Sequence, residues 1–308
     1  MVGSQGFGPD PRNDRVKIWL NGELVPRAEA KVSVFDAGFV LGDGVWEGLR
    51  LVQGRLAFLD AHLDRLYAAA RVLDIGIPLD RGALSMALYQ TVQANGMKDG
   101  VHVRLMVTRG IKSTPNQDPR GIISGPTIVI VAEHKELDPA SRRRGLALIT
   151  STWRTSAPDV FDMHLNTHSR LNLIQALIQA ARLGADEALM LDPHGHVASC
   201  NATNFFVVRG GAVWTSSGRF CFKGITRGHI VALCREHGIP VEERDFTLAE
   251  TYAADEAFVT GTFGGVTPVS TLDGRPLGAA TPGSMTGRLA DLYAELLAAE
   301  CAAGAHRS

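Results

Sequence analysis

The chain has 308 residues, room for two domains of about 150 residues each, and its 45% hydrophobic and 20% charged content supports a sizeable core and excludes wholesale disorder. Lys and Arg total 31 against 32 Asp and Glu, a net charge of -1, which argues against nucleic acid and membrane surfaces as partners, since both recruit a basic excess. No apolar run approaches the ~18 residues of a spanning helix, and the polar start from Met1 to Arg15 does not read as a signal peptide. Cys200, Cys221, Cys234 and Cys301 lack CxxC spacing and read as reduced cytoplasmic thiols, with neither a disulfide frame nor a metal site. Lysine is scarce, occurring only at 17, 31, 98, 112, 135 and 223.

Residues 1–15 are rich in Gly, Pro and Asp and predict a loose arm. Lys17 to Leu20 and Glu23 to Val25 flank Asn21-Gly22, the signal of a two-residue hairpin. A helix follows with Asp60 as its expected N-cap and Leu59, Leu63, Leu66, Tyr67, Ala70 and Leu73 on one face. Val101, Val103, Leu105 and Val107 alternate with His102, Arg104, Met106 and Thr108, the pattern of a half-buried strand. Pro126 to Ala132 predicts a fully buried strand. A charged stretch over 133–145, with Arg142-Arg143-Arg144 as a solvated turn, is the expected linker between an N-terminal α/β domain (16–132) and a C-terminal one (146–308).

Beyond it the sequence predicts strands at Leu146 to Thr152, Glu187 to Leu191, Phe205 to Val208 and Ala257 to Thr260. Helices are expected near Asn172 to Leu183, at Thr226 to His237 ended by Gly238, and from about Met285. Clustered strands with helices between them, lacking a steady βαβ rhythm, predict an α+β fold with mixed sheets.

Gly224-Ile225-Thr226-Arg227 opens a helix. Its free N–H groups and the helix dipole favour an anion such as phosphate, although an ordinary Gly-Thr cap has the same spelling. Gly261-Thr262-Phe263-Gly264-Gly265 follows a strand and offers a second ring of N–H donors. Arg65 lies between core positions 63 and 66, and Arg104 on the polar face of its strand. A surface salt-bridging arginine is the plainer reading of Arg65 and a solvated charge that of Arg104, which could otherwise clamp a carboxylate bidentately. Ser169 has the character of an N-cap, which puts Arg170 in a first helical turn, where a cation opposes the dipole.

Several segments together carry a resemblance: Gly42-Asp43-Gly44-Val45-Trp46-Glu47-Gly48, His62-Leu63-Asp64-Arg65-Leu66, Gly184-Ala185-Asp186-Glu187-Ala188, Asn204-Phe205-Phe206 and Gly224-Ile225-Thr226-Arg227. Ala254-Asp255-Glu256-Ala257, Thr260-Gly261-Thr262, Thr267-Pro268-Val269 and Leu272-Asp273-Gly274 extend it. From about Val16 to Leu296 the chain resembles the class IV aminotransferases, the fold-type IV pyridoxal-phosphate proteins. That group includes branched-chain and D-amino acid aminotransferases and aminodeoxychorismate lyases. The resemblance implies two domains with a ligand cleft between them, a homodimer, and an amino or keto acid substrate. It also implies pyridoxal 5'-phosphate or pyridoxamine phosphate as cofactor. Arg65, the Ile225 and Thr226 amides and Thr262 would hold the phosphate, with Asn204 near the cofactor. Trp46 would line the substrate pocket, and Arg104 would contact the substrate.

Two positions depart from the family. Counting back from Gly184 by the family's spacing places the Schiff-base lysine at Asn166, with Arg170 one helical turn later. Neither supplies the primary amine that such a bond requires. The carboxylate expected to pair with the pyridine nitrogen is replaced by Ser199, whose hydroxyl cannot stabilise a protonated ring comparably. Lys223, beside Gly224, is the one lysine near the inferred site and the candidate substitute amine; a solvent-facing loop lysine is the plainer reading. The expected function is an aminotransferase-like enzyme with an altered mechanism. The alternatives are a lysine-independent enzyme acting on an anionic small molecule, with Arg65, Arg104, Arg170, His164 and His168 in its pocket, and a non-catalytic dimeric binder.

Overall fold

The computed structural model describes residues 8–136, 143–278 and 283–303. The described chain divides into two compact units. An N-terminal unit holds Gly8–Glu136, Leu165–Ser169 and residues 300–303; a C-terminal unit holds 143–164 and the described part of Arg170–Ala299.

The N-terminal unit contains β1 (Lys17–Leu20), β2 (Glu23–Pro26), α1 (Ala37–Leu41), β3 (Gly44–Val52), β4 (Arg55–Leu56), α2 (Leu59–Val72), α3 (Arg81–Ala94), β5 (Val101–Thr108) and β6 (Thr127–His134). Its six strands run in the order β2-β1-β6-β5-β3-β4, every pair antiparallel. Asn21 (φ 48°) and Gly22 (φ 103°) are both left-handed, which matches the twist of the flanking strands and explains the tight first hairpin. Val45, Leu49 and Leu51 of β3 and Val101, Val103, Leu105 and Val107 of β5 turn one sheet face to Leu63 and Leu66 of α2 and Leu84 and Leu88 of α3. The opposite face carries Trp46 and Arg50 of β3 and His102, Arg104 and Met106 of β5.

Four expectations need correction here. β6 is half-buried, because Val129 and Val131 lie on the sheet face away from the helices and are only partly covered. The strand also runs through His134, into the segment expected as a linker, and residues 143–144 are helical, while 137–142 lie outside the described residues. The arm expected over 1–15 includes an ordered 3₁₀ turn at Pro11–Arg15. Asn13 of that turn is buried, donates to the His134 carbonyl (2.9 Å) and accepts from the His134 amide (2.8 Å), which ties it to β6; residues 1–7 are outside the described residues. Finally, α2 begins without a side-chain cap on Phe58 (φ 53°), and Asp60 lies in the first turn, where its charge complements the dipole.

The C-terminal unit continues with β7 (Leu146–Thr150), α4 (Leu171–Arg182), β8 (Glu187–Leu191), β9 (Val197–Cys200), β10 (Asn204–Arg209), β11 (Ala212–Thr215), α5 (Ile225–Glu236), β12 (Val241–Glu243), α6 (Leu248–Tyr252), β13 (Glu256–Gly261), β14 (Gly265–Leu272), β15 (Arg275–Pro276) and α7 (Met285–Ala303), whose last residues fall in the N-terminal unit. Eight strands run β12-β11-β10-β13-β14-β7-β8-β9, and β15 pairs with β14. The β11–β12, β14–β7 and β7–β8 pairs are parallel, so the sheet is mixed. One face closes over Leu146, Leu189, Phe205, Val207, Phe246 and Val259. On another strand face Phe206 stacks on Phe258 at 4.8 Å, while Ala176 and Ala180 of α4 pack on Ala188 and Met190 of β8.

α4 begins at Leu171, so Arg170 is its N-cap residue and not part of its first turn. The expected cap, Ser169, instead donates its hydroxyl to the Gly42 carbonyl (3.1 Å).

Leu66 is fully buried between α2 and the sheet. Leu66→Ala should lower unfolding stability by about 2–5 kcal/mol in urea titrations, the cost of an apolar cavity that relaxes only partly.

Candidate active site

Glu47 shares the inward face of β3 with Val45, Leu49 and Leu51, which sends its carboxylate to the core at 0% exposure. A charge there requires partners. α2 supplies two, three residues apart on one helix face. Arg65 donates Nε to Oε1 and Nη2 to Oε2, both at 2.7 Å, and His62 Nδ1 lies 2.7 Å from Oε2. Burial pushes the Glu47 carboxyl up, and the hydrogen bonds from Arg65 and His62 more than reverse it, leaving it below its ordinary value. Arg65, expected on a phosphate, is thus anchored along one edge of its guanidinium.

The other face of the same strand presents Trp46. The Arg104 guanidinium sits 3.9 Å from the indole centroid, close enough for a cation–π contact. Gly48 leaves room beside it; a Cβ there would approach His102 Nε2 to 2.9 Å. Burial, then the charges of Lys135 and Arg104, push His102 down to about 3, so it is a neutral ring at physiological pH. Lys135 is also pushed down, by burial and by Arg104, against the pull of Glu133.

Asn166 lies in the short segment Leu165–Ser169 that joins this unit. It is buried, donates Nδ2 to the Trp46 carbonyl (2.6 Å), and accepts at its own carbonyl from the Trp46 amide (2.9 Å). Its neighbour His168 donates its backbone amide to the Gly44 carbonyl (2.9 Å), with its ring Nε2 3.2 Å from the Val45 carbonyl.

In the C-terminal unit the N-terminus of α5 has Gly224 as N-cap and no side-chain cap on its first amides. Asn204, at the start of β10, holds the approach to it: Nδ2 donates to the Phe222 carbonyl (2.6 Å), and Oδ1 accepts from the Gly224 amide (3.2 Å). A Cβ on residue 224 would come within 2.3 Å of that Oδ1, so any side chain there would push the Asn204 amide out of its present position. Thr226 is buried, with its hydroxyl 3.4 Å from Tyr293 OH, and Thr262 lies half-buried in the turn between β13 and β14. Uncapped amides, a threonine hydroxyl and a close-fitting glycine form a donor set suited to a phosphate group.

The remaining expected residues are dispersed. Ser199 is buried in β9, paired with Met190. Lys223 is exposed, with its stem beside Gly218. Arg170 lies 5.5 Å from the Phe222 ring centroid, and His164 Nε2 is 2.6 Å from the Gly218 carbonyl. The structure therefore groups Trp46, Arg104 and Asn166 in one unit, with Arg65 on Glu47. In the other it groups Asn204, Ile225 and Thr226 at one helix end, with Arg170 near the Phe222 ring and Lys223 next to Phe222 in the chain.

Sequence reasoning missed the Glu47–His62–Arg65 trio, although a glutamate in an otherwise apolar alternation facing a helix with His and Arg three apart was a usable signal. It also missed Arg227, buried and donating Nη2 to the Ser216 carbonyl (2.6 Å) and to Glu243 (3.0 Å). The four cysteines are buried free thiols. Among the described residues no His/Cys/Asp/Glu group suits a metal ion, and no helix is long and apolar enough to cross a membrane.

The family model described as amino-transferase class IV matches residues 44–272. A branched-chain-amino-acid aminotransferase-like protein 2 from Arabidopsis thaliana is 38% identical over 94% of this chain, which spans only 51% of that longer protein. A putative branched-chain-amino-acid aminotransferase from Methanocaldococcus jannaschii is 37% identical over 91% of this chain and 96% of its own length. The crystal structure of a T.th. branched-chain amino acid aminotransferase complexed with N-(5'-phosphopyridoxyl)-L-glutamate superposes with a TM-score of 0.85 at 31% identity, over 93% of this chain and 95% of that one.

Because Glu47 carries a lowered folded pKa, its contribution to stability is present above the unfolded value of about 4.3 and is lost as pH falls through the folded one. Glu47→Gln should therefore be destabilised most at pH 7, and the gap to the unsubstituted protein should narrow below about pH 4. Urea unfolding at both pH values checks the sign.

Proposed function

The chain belongs to the class IV aminotransferases, and from that premise we propose that it binds pyridoxal phosphate or pyridoxamine phosphate and acts on an amino or keto acid without a lysine link at position 166. The observation that carries the reading is the N-terminus of α5, opened by Gly224 and held by Asn204. There the Ile225 and Thr226 amides and the Thr262 hydroxyl would bind the phosphate, and the family resemblance adds Arg65 to them, each charge-assisted contact being worth about 1.5–3 kcal/mol. The bound cofactor supplies an electron-withdrawing ring and a carbonyl or amine for nitrogen transfer.

The residues at the other end of the cofactor fit it less well. Asn166 and Arg170 offer no primary amine, and Ser199 offers the ring nitrogen a hydroxyl in place of a carboxylate. Arg104, oriented over Trp46, would pair with the substrate carboxylate. Lys223, next to the phosphate cradle, is the amine proposed to hold and move the proton, and a protein that starts with pyridoxamine phosphate needs no covalent link at all. A cytoplasmic homodimer belongs to the same reading, and the buried thiols fit a reducing compartment.

The test is pyridoxal phosphate binding followed by visible spectroscopy, then borohydride reduction and peptide mapping. Arg65→Ala should weaken binding at least tenfold, and any reduced adduct should map to Lys223 and vanish in Lys223→Ala. Unchanged affinity in Arg65→Ala, or an adduct on another lysine, would refute the assignment. Turnover with pyridoxamine phosphate in Lys223→Ala would favour the lysine-independent enzyme, for which Arg170 at the head of α4 is the group facing Phe222.

A further inference from the structure

We propose that Asn166 is a positioning residue for the substrate face, acting through Trp46 on Arg104. The inference rests on the reading above that Trp46 and Arg104 meet the substrate.

β4 pairs with β3 only at Leu51 and Val52, which leaves the edge of β3 at residues 44–46 without a neighbouring strand on that side. Backbone groups there need partners. Residues 166–169 provide them as a short strap, bridging Val45 to Thr167 in antiparallel fashion. The Trp46 amide donates to the Asn166 carbonyl (2.9 Å), and the His168 amide donates to the Gly44 carbonyl (2.9 Å).

Asn166 adds a bond that backbone pairing alone does not give. Its Nδ2 donates to the Trp46 carbonyl at 2.6 Å, so both backbone polar groups of Trp46 are engaged by the same residue. One position on, the Thr167 carbonyl accepts from the indole Nε1 at 3.0 Å. Trp46 is thereby fixed at its amide, its carbonyl and its ring nitrogen, and the plane of the indole is set.

Arg104 lies 3.9 Å from that ring, and a cation–π contact follows the ring's orientation. Gly48, the next β3 residue on this face and paired with Arg104 across the sheet, presents no side chain to constrain it. The indole is thus what aims the guanidinium. A lysine at 166 would lose the planar amide that reaches the Trp46 carbonyl, and its ammonium would be buried at a site now 3% exposed. The position that the family's spacing assigns to a nucleophile serves here as a fastening.

Two readouts test this. Protein labelled with ¹⁵N at its four tryptophans gives one indole signal each, with Trp46 identified by Trp46→Phe. In Asn166→Asp, a shape-conserving change that turns a donor into an acceptor, the Trp46 indole should shift and exchange with solvent at least tenfold faster, while Trp19, Trp153 and Trp214 stay in place. Calorimetry with 2-oxoglutarate as keto-acid probe should show about tenfold weaker binding in Asn166→Asp, with pyridoxal phosphate affinity unchanged. Asn166→Gln, which keeps the amide, should recover most of the affinity. Adding Arg104→Ala to Asn166→Asp should cost less than Arg104→Ala alone. An unmoved Trp46 signal in Asn166→Asp overturns the proposal even if the keto acid binds well. A shifted signal together with unchanged 2-oxoglutarate binding in Arg104→Ala refutes the substrate-face reading instead. If Asn166→Asp does not fold, Trp46→Phe serves in the calorimetry, and full 2-oxoglutarate affinity there overturns the indole's role.

Discussion

A carboxylate in the middle of a strand, closed off from water, is tolerable only where a cation or hydrogen-bond donors stand against it, and Glu47 is met from α2 by Arg65 on both oxygens and by the His62 ring on one. The trio is not evidence of high stability, since a well-packed apolar substitute for all three can be as stable or more so. What it does fix is geometry. It sets the register of α2 over β3 and pins one edge of the Arg65 guanidinium, so the other edge points in a defined direction. Because side chains alternate along β3, the residue before Glu47 must face the other way. Trp46 therefore takes the outer face, and β3 carries a cation-binding carboxylate on one side and the aromatic seat of Arg104 on the other.

The same logic explains which parts of the fold were legible from the sequence. The Asn21-Gly22 hairpin, the alternation from Val101 to Thr108, and the helix ended by Gly238 were readable because each depends on local chemistry. The two misplaced helix starts have tertiary causes. Ser169 has the right side chain for a cap, but Gly42 claims its hydroxyl, and α4 starts one residue later than that cap would set it. Asp60 has the right chemistry as well, yet Phe58 in a left-handed turn opens α2. β6 looked fully buried because Val129 and Val131 are apolar, although they face away from the helices. Apolar character and burial part company on the outer face of this sheet, the face that also holds Trp46 and Arg104.

For the candidate site, residue types were legible and partnerships were not. Gly224, Ile225 and Thr226 spell a helix start, but the reason for a glycine there lies 20 residues upstream, in Asn204, whose Oδ1 stands within 2.3 Å of where a Cβ would be. Arg65 was readable as a cation near the core. Its attachment to Glu47 was not, because the two are 18 residues apart on different elements and meet only through the packing of α2 on β3.

The side chains at 166 and 199 are alike in being buried, polar and neutral. A lysine and a glutamate at positions 166 and 199 would each place a charge at a buried site, 3% and 4% exposed. Such charges are sustainable only while each has a partner, in general a bound group of opposite charge or a hydrogen-bonding set able to replace water. Asn166 and Ser199 carry no charge, so neither makes that demand. The N-terminus of α5 makes no such demand, since backbone amides at a helix N-terminus carry their partial charge irrespective of side chain. This chain thus combines the uncapped α5 terminus with neutral groups at 166 and 199.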